Sequence, residues 1–323
     1  MPPGTYDLVL THAPAATVGG GDDSVADGVL RDRLAAGLDA GAGGVFAACG
    51  TGEFHALDED EHALVVRTAV DVAGGSVPVF AGVGGPLPIA QRLAARAEEA
   101  GADGLLVLPP YLVRGTQAGL VAYVDRLVAA TSLPVILYHR DNAQFAPATA
   151  AELSRHPQVI GLKDGLGDLD VMHRIVRAVR VQQSAADFQF FNGLPTAELF
   201  APAYRGIGVD LYSSAVFAFA PEIAMAFYQA LERSDTAEVE SLVDVFYAPF
   251  VRLRHRREGY AISLIKAGLR LRGVDVGSVR PPLSDPLAED VEQLRRITEA
   301  GLARVGASEW VLSPGTSAKA GVS

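Results

Sequence analysis

The chain has 323 residues, 49% hydrophobic and 20% charged, and its 27 basic against 38 acidic side chains leave a formal net charge of -11. That length fits one large α/β barrel or two ordinary domains, and the acidic balance argues against nucleic acid or an anionic membrane as a partner. Cys49 is the single cysteine, so no intrachain disulfide can form. The start lacks signal-peptide features and no apolar run nears the roughly 18 residues of a membrane span, so the expected setting is cytoplasmic.

Short apolar runs alternate with helical periodicity along the chain. Residues 6–10 read as a strand, 14–23 as a Gly-rich loop, and 24–40 as a helix. Strands are then predicted at 45–48, 77–81, 104–108, 134–138, 159–163, 188–191 and 207–212. Helices are predicted at 58–72, 86–100, 117–130, 148–155, 169–179, 196–204 and 221–233. Asp58 with Glu61 has the spacing of a capping box. Eight strand-then-helix units over about 230 residues predict a parallel α/β sheet closed as a (β/α)8 TIM barrel over residues 1–233, with a doubly wound open sheet as the alternative. Beyond 233 only helices are read, at 237–257, 260–272 and 289–305. These predict a C-terminal helical domain over 234–312, followed by a flexible Gly/Ser/Ala tail over 313–323.

In such barrels the chemistry sits at the carboxyl ends of the strands. Gly50-Thr51-Gly52-Glu53 falls there after strand two, Pro109-Pro110-Tyr111 after strand four, and Tyr138 with His139-Arg140-Asp141-Asn142 after strand five. Lys163 ends strand six, Asn192-Gly193 strand seven, and Tyr212-Ser213-Ser214 strand eight. Lys163 stands out because the chain holds only two other lysines, Lys266 and Lys319. An amine, unlike a guanidinium, can lose its proton and attack a carbonyl. A phenol such as Tyr138 could relay protons, and the amides of Gly50-Thr51-Gly52 with the Thr51 hydroxyl suit a carboxylate.

This set fits Schiff-base chemistry on a small keto acid. The competing readings are a strand-end lysine reaching solvent, a core tyrosine, a plain Gly-Thr-Gly turn, and an Arg140 that pairs with Asp141. Cys49 has no evident base partner and reads as inert. The seven histidines lack metal-ligand spacing, so neither a metal nor a cofactor is expected. His139-Arg140-Asp141 imitates a kinase catalytic loop without its companions, and Gly19-Gly20-Gly21 and Gly82-Val83-Gly84-Gly85 lack phosphate-loop spacing.

Several motifs, in order, resemble the dihydrodipicolinate synthase / N-acetylneuraminate lyase superfamily. They are Gly50-Thr51-Gly52-Glu53-Phe54, Leu108-Pro109-Pro110-Tyr111-Leu112, Tyr138 with Arg140-Asp141-Asn142, and Leu162-Lys163-Asp164-Gly165 with Gly167-Asp168. Gly193-Leu194-Pro195-Thr196-Ala197-Glu198, Tyr212-Ser213-Ser214-Ala215-Val216-Phe217 and Val279-Arg280-Pro281-Pro282-Leu283 extend the match. Within the superfamily the similarity is greatest to its 5-dehydro-4-deoxyglucarate dehydratase branch. The resemblance implies a barrel with a C-terminal helical domain, assembled as a tetramer or dimer. It also implies a decarboxylating dehydration that yields 2,5-dioxopentanoate, water and CO2, with Lys163 forming the Schiff base and Tyr138 relaying protons. Arg140, Asn192, Gly193, Ser213 and Ser214 would join Gly50, Thr51 and Gly52 as substrate contacts.

The chain departs from the branch pattern at Cys49, where Gly is expected, at His55, where Phe is expected, and at His139 and Ala218, where Asn is expected. An aldolase or lyase of the same superfamily acting on pyruvate-derived keto acids, or a non-catalytic sugar-acid-binding relative, are the alternatives.

Overall fold

The computed structural model describes residues 9–11, 24–182, 187–307 and 309–312. The start of the predicted first strand, the Gly-rich loop at 14–23 and the tail at 313–323 lie outside the described residues. Eight strands, β1 (Val9–Thr11), β2 (Gly44–Ala47), β3 (Val79–Val83), β4 (Gly104–Val107), β5 (Val135–His139), β6 (Val159–Asp164), β7 (Gln189–Asn192) and β8 (Leu211–Tyr212), pair in parallel and in sequence order. They alternate with helices α1 (Asp27–Asp39), α2 (Glu59–Ala73), α3 (Leu87–Glu99), α4 (Gln117–Val128), α5 (Pro147–Leu153), α6 (Leu169–Arg180), α7 (Ala201–Gly206) and α8 (Pro221–Glu232). The continuous burial of β2 to β5 is what a parallel sheet covered on both faces requires.

Most boundaries fall within a few residues of those read from the sequence. The capping box of α2 is present: Asp58 accepts from the amides of Asp60 and Glu61, and Glu61 accepts from the amide of Asp58. Three expectations need correction. The strand expected at 207–212 shrinks to β8, because Gly208 turns the chain at φ +83° and Ile207 still caps α7. The helix expected at 196–204 is a 3₁₀ turn (Ala197–Phe200) followed by α7.

The helix expected at 237–257 is broken into α9 (Thr236–Leu242), a π turn (Val243–Tyr247) and α10 (Ala248–Arg254). Pro249 has no N–H to reach the carbonyl four residues back, and the wider turn absorbs that gap. α11 (Tyr260–Leu271) and α12 (Ala288–Arg304) complete the described helices. Among the described residues no helix is long and apolar enough to cross a membrane.

Two apolar clusters flank the sheet. The larger lies between strands and helices. The smaller joins Phe46, Cys49, Phe80, Leu106, Leu108, Ile136, Tyr138 and Phe191. Phe46 of β2 and Phe191 of β7 lie 6.1 Å apart between ring centroids, so the sheet curves until strands five positions apart touch through their side chains.

The last helices are tied to the mouth of this curved sheet by one buried ion pair. Lys266 Nζ donates to Glu53 at 2.7 Å and to the Ser278 carbonyl at 2.7 Å, and both charged side chains are fully buried. The Arg280 amide donates to the other Glu53 oxygen at 2.8 Å, while the Arg280 guanidinium reaches Glu61 and the Ala56 carbonyl. Removing one partner of such a pair leaves a buried uncompensated charge. Lys266→Met is therefore expected to cost about 3–5 kcal/mol in equilibrium denaturant unfolding, with Glu53 left unpaired.

Candidate active site

Tyr138 and Lys163 are direct neighbours across the β5–β6 ladder, so the two side chains project to the same face. Lys163 is 4% exposed, with Nζ 4.2 Å from the Phe46 ring centroid and 5.3 Å from that of Tyr138. Nζ makes no hydrogen bond or ion pair among the described residues. Burial is the main cause that pulls the amine down to about 8, reinforced by the Arg140 charge. The Asp164 carboxylate, one residue on, is no counter-ion for it. Strand alternation sends that side chain to the other face, where it accepts from the Leu166 and Gly167 amides and from the Tyr204 hydroxyl.

The Tyr138 hydroxyl donates to the Gly193 carbonyl at 2.9 Å and accepts from Arg140 Nη1 at 3.1 Å. Burial raises the phenol above its usual range, and the Arg140 charge opposes that rise. Arg140 also pairs with Asp141 at 3.1 Å, so its guanidinium bridges the rim and the phenol. Two glycines make room for this pair. A Cβ on Gly193 would lie 2.6 Å from Lys163 Cε and Cγ, and one on Gly165 would lie 2.8 Å from Tyr138 Cε2.

A cavity of about 740 Å³ opens at these strand ends, within the size range of small-molecule sites. Of the residues read from the sequence, Gly50, Thr51, Tyr138, Arg140, Lys163, Gly193 and Ser213 line it. Gly52, Asn192 and Ser214 do not. Asn192 spends its carboxamide on the Ala197 carbonyl and the Leu194 amide. Ser214 donates to Glu198 and accepts from the Phe217 amide. Both shape turns beside the cavity instead of reaching into it. Cys49 also lines the cavity, and burial pushes its thiol up to about 12, so it stays protonated. Of the other departures from the branch pattern, His55 lines the cavity as well, whereas His139 and Ala218 do not.

The sequence reading did not place Ala261 and Ile262 of α11 in the cavity wall. Nor did it anticipate that Glu53, Lys266 and Arg280 form the strut behind the Gly50-Thr51-Gly52 turn. A lysine set among apolar residues in Leu264-Ile265-Lys266-Ala267 was the available signal. Backbone strain concentrates on the same rim. Ala48, Glu53, Leu112 and Asp141 are non-glycine residues with φ between 47° and 63°, and all four follow β2, β4 or β5. Such conformations persist only where the surroundings impose them.

A parallel α/β sheet with its cavity at the carboxyl ends of the strands, and a desolvated lysine in the cavity wall, defines a class of barrel-type proteins. Comparison with known proteins narrows it. A profile of the dihydrodipicolinate synthetase family matches residues 20–300, and the chain belongs to that family. A Streptomyces griseus relative named "Probable 5-dehydro-4-deoxyglucarate dehydratase" is 57% identical over 89% of this chain and 90% of its own length. A Streptomyces coelicolor relative named "Probable 5-dehydro-4-deoxyglucarate dehydratase 1" is 57% identical over 84% and 86%. The crystal structure of dihydrodipicolinate synthase from Oceanobacillus iheyensis superposes with a TM-score of 0.83 at 24% identity, covering 91% of this chain and 96% of that one.

A lysine whose pKa is lowered to about 8 is roughly one-tenth free amine at neutral pH. Competitive labelling with a limiting acylating reagent across a pH series should give the Lys163 peptide a titration midpoint near 8. A midpoint near the ordinary lysine value of about 10.4 would show that the amine is solvated.

Proposed function

We propose that the chain is a Schiff-base lyase that converts 5-dehydro-4-deoxyglucarate to 2,5-dioxopentanoate, water and CO2, with Lys163 as the reacting amine. The observation that carries this reading is the buried Lys163 amine, without a counter-charge among the described residues, beside Tyr138 in the wall of the cavity. The relatives named as dehydratases of this compound supply the substrate.

The chemistry follows from that amine. Its lone pair adds to the ketone of the substrate, and loss of water from the carbinolamine leaves an iminium. The iminium accepts the electron pair released when the adjacent CH2 loses a proton. The resulting enamine expels the hydroxyl on the next carbon as water. The extended iminium then accepts the pair released when the far carboxylate leaves as CO2. Tautomerisation gives the aldehyde, and water cleaves the imine to restore Lys163. Tyr138 relays protons to the carbinolamine and the departing hydroxyl, a role supported by its hydrogen bonds to the Gly193 carbonyl and Arg140. The Arg140 guanidinium and the backbone of Gly50-Thr51 are the groups suited to the two carboxylates.

The same reading takes the curved sheet as a closed (β/α)8 barrel over residues 1–233, supported by the side-chain contact across it. Residues 234–312 form a C-terminal helical domain, supported by the run of α9 to α12 without a strand. The lone cysteine supports a cytoplasmic setting. The exposed Tyr111, Leu112 and Val113 on the β4 loop support a homo-oligomer, as a tetramer or dimer.

Borohydride reduction in the presence of 5-dehydro-4-deoxyglucarate should attach a stable adduct to the Lys163 peptide, and Lys163→Ala should abolish both adduct and turnover. An adduct on another residue, or CO2 release by the alanine variant, would overturn the assignment. Tyr138→Phe should lower kcat by about 10²- to 10⁴-fold with the protein still folded by circular dichroism. Pyruvate as a released product would instead favour the aldolase reading.

A further inference from the structure

Behind the cavity wall lies a second buried polar cluster that the chemistry above does not use. Glu198 is fully buried in the 3₁₀ turn that follows the Gly193 loop. One of its carboxyl oxygens accepts from the Ser214 hydroxyl, and the other has no partner among the described residues. The Tyr247 hydroxyl, in the π turn, is likewise buried without a hydrogen-bond partner among the described residues. Tyr247 is close enough to Glu198 and Tyr212 to feel both electrostatically. The cation that faces Glu198 is Arg254 of α10, whose guanidinium is engaged by the Thr196 hydroxyl and by His255 Nε2. The groups that act on Glu198 are thus Ser214 from the end of β8, Tyr247 from the π turn, and Arg254 from α10.

Glu198 joins the two turns that supply Gly193 and Ser213 to the cavity. The turn after β7 is held by Asn192, whose side chain binds the Ala197 carbonyl and the Leu194 amide, and by the Gly193 amide on the Asp164 carbonyl. The turn after β8 joins it through the Ser213 amide on the Asn192 carbonyl and through the Ser214–Glu198 hydrogen bond. Gly193 in turn packs against Lys163 and accepts from the Tyr138 hydroxyl. A carboxylic acid in this pocket has one oxygen satisfied by Ser214 and carries no charge that needs solvating. A carboxylate there is a buried charge with no ion-pair partner, a costly state that favours water entry or movement of the turns. Burial accordingly raises this carboxyl to about 7.

We propose that Glu198 is a positioning residue, a buried neutral carboxylic acid that latches the Gly193 turn to the Ser213 turn and releases them when it ionises. The inference rests on the reading of Lys163 and Tyr138 as the reacting pair.

The sign of the pH dependence follows from the two groups. Free Lys163 amine increases as pH rises through about 8, whereas the latched form decreases as pH rises through about 7. In the wild type kcat/KM should rise, level off and then fall. Glu198→Gln keeps an uncharged group of the same shape and should lose the falling limb. Its kcat/KM relative to wild type should then grow about 16-fold between pH 7 and 8.5. Melting curves supply a readout apart from turnover. A carboxyl raised on folding contributes stability that is fully present below its unfolded value and is lost as pH rises to its folded value, so the wild type should lose stability relative to E198Q between about pH 4.5 and 7.

An E198Q profile parallel to that of wild type, a loss of the same size at every pH, or failure of E198Q to fold would overturn the proposal. Borohydride trapping in the same samples separates the two readings. A wild type without a Lys163 adduct sinks the site assignment and this inference with it, whereas trapping with an unchanged profile sinks only the inference.

Discussion

The withdrawal of one amine from water organises this molecule. An ammonium set against Phe46, Tyr138 and Cys49, with no carboxylate paired to it among the described residues, is disfavoured by desolvation, and that bias leaves part of Lys163 unprotonated near neutral pH. The surrounding structure protects the bias. The inner apolar cluster removes solvent, and strand alternation turns the neighbouring Asp164 to the outer face. There its charge is spent on two backbone amides and the Tyr204 hydroxyl. A carboxylate on the inner face beside β6 would restore the ammonium and undo the arrangement.

The rim above the amine is held by ties between segments far apart in the chain. Glu53 and Lys266 are separated by 213 positions, and Arg280 closes the same knot from beyond α11. Through it the last helices fix the Gly50-Thr51-Gly52 turn and bring Ala261 and Ile262 into the cavity wall. The positive φ angles at Ala48, Glu53, Leu112 and Asp141 lie on this rim and nearly nowhere else outside glycine. A strained backbone of this kind needs rigid support, and at Glu53 the buried ion pair supplies it.

Motif residues therefore divide into those that reach the cavity and those that hold it. Lys163, Tyr138, Thr51 and Arg140 reach it. Glu53, Arg280, Asn192, Ser214 and Glu198 hold it, although all of them belong to motifs that read as a functional set. A motif marks the neighbourhood of a site without saying which of its side chains turns inward, because a turn of four or five residues exposes some and buries others.

Reading the residues alone was enough to order the eight strand-and-helix units, to start α2 at its capping box, and to put Lys163 and Tyr138 at the ends of adjacent strands. Alternation, capping and strand length are local properties, set by residues within one or two turns of each other. It misjudged β8 and the break at the π turn, where a single glycine and a single proline override the periodicity around them. That Lys163 has no counter-ion among the described residues, that Lys266 has one, and that Glu198 lies buried between two turns emerges only when distant segments pack together. Desolvation and ion pairing depend on which distant segments come together and on how much water they exclude, and no stretch of neighbouring residues carries that information.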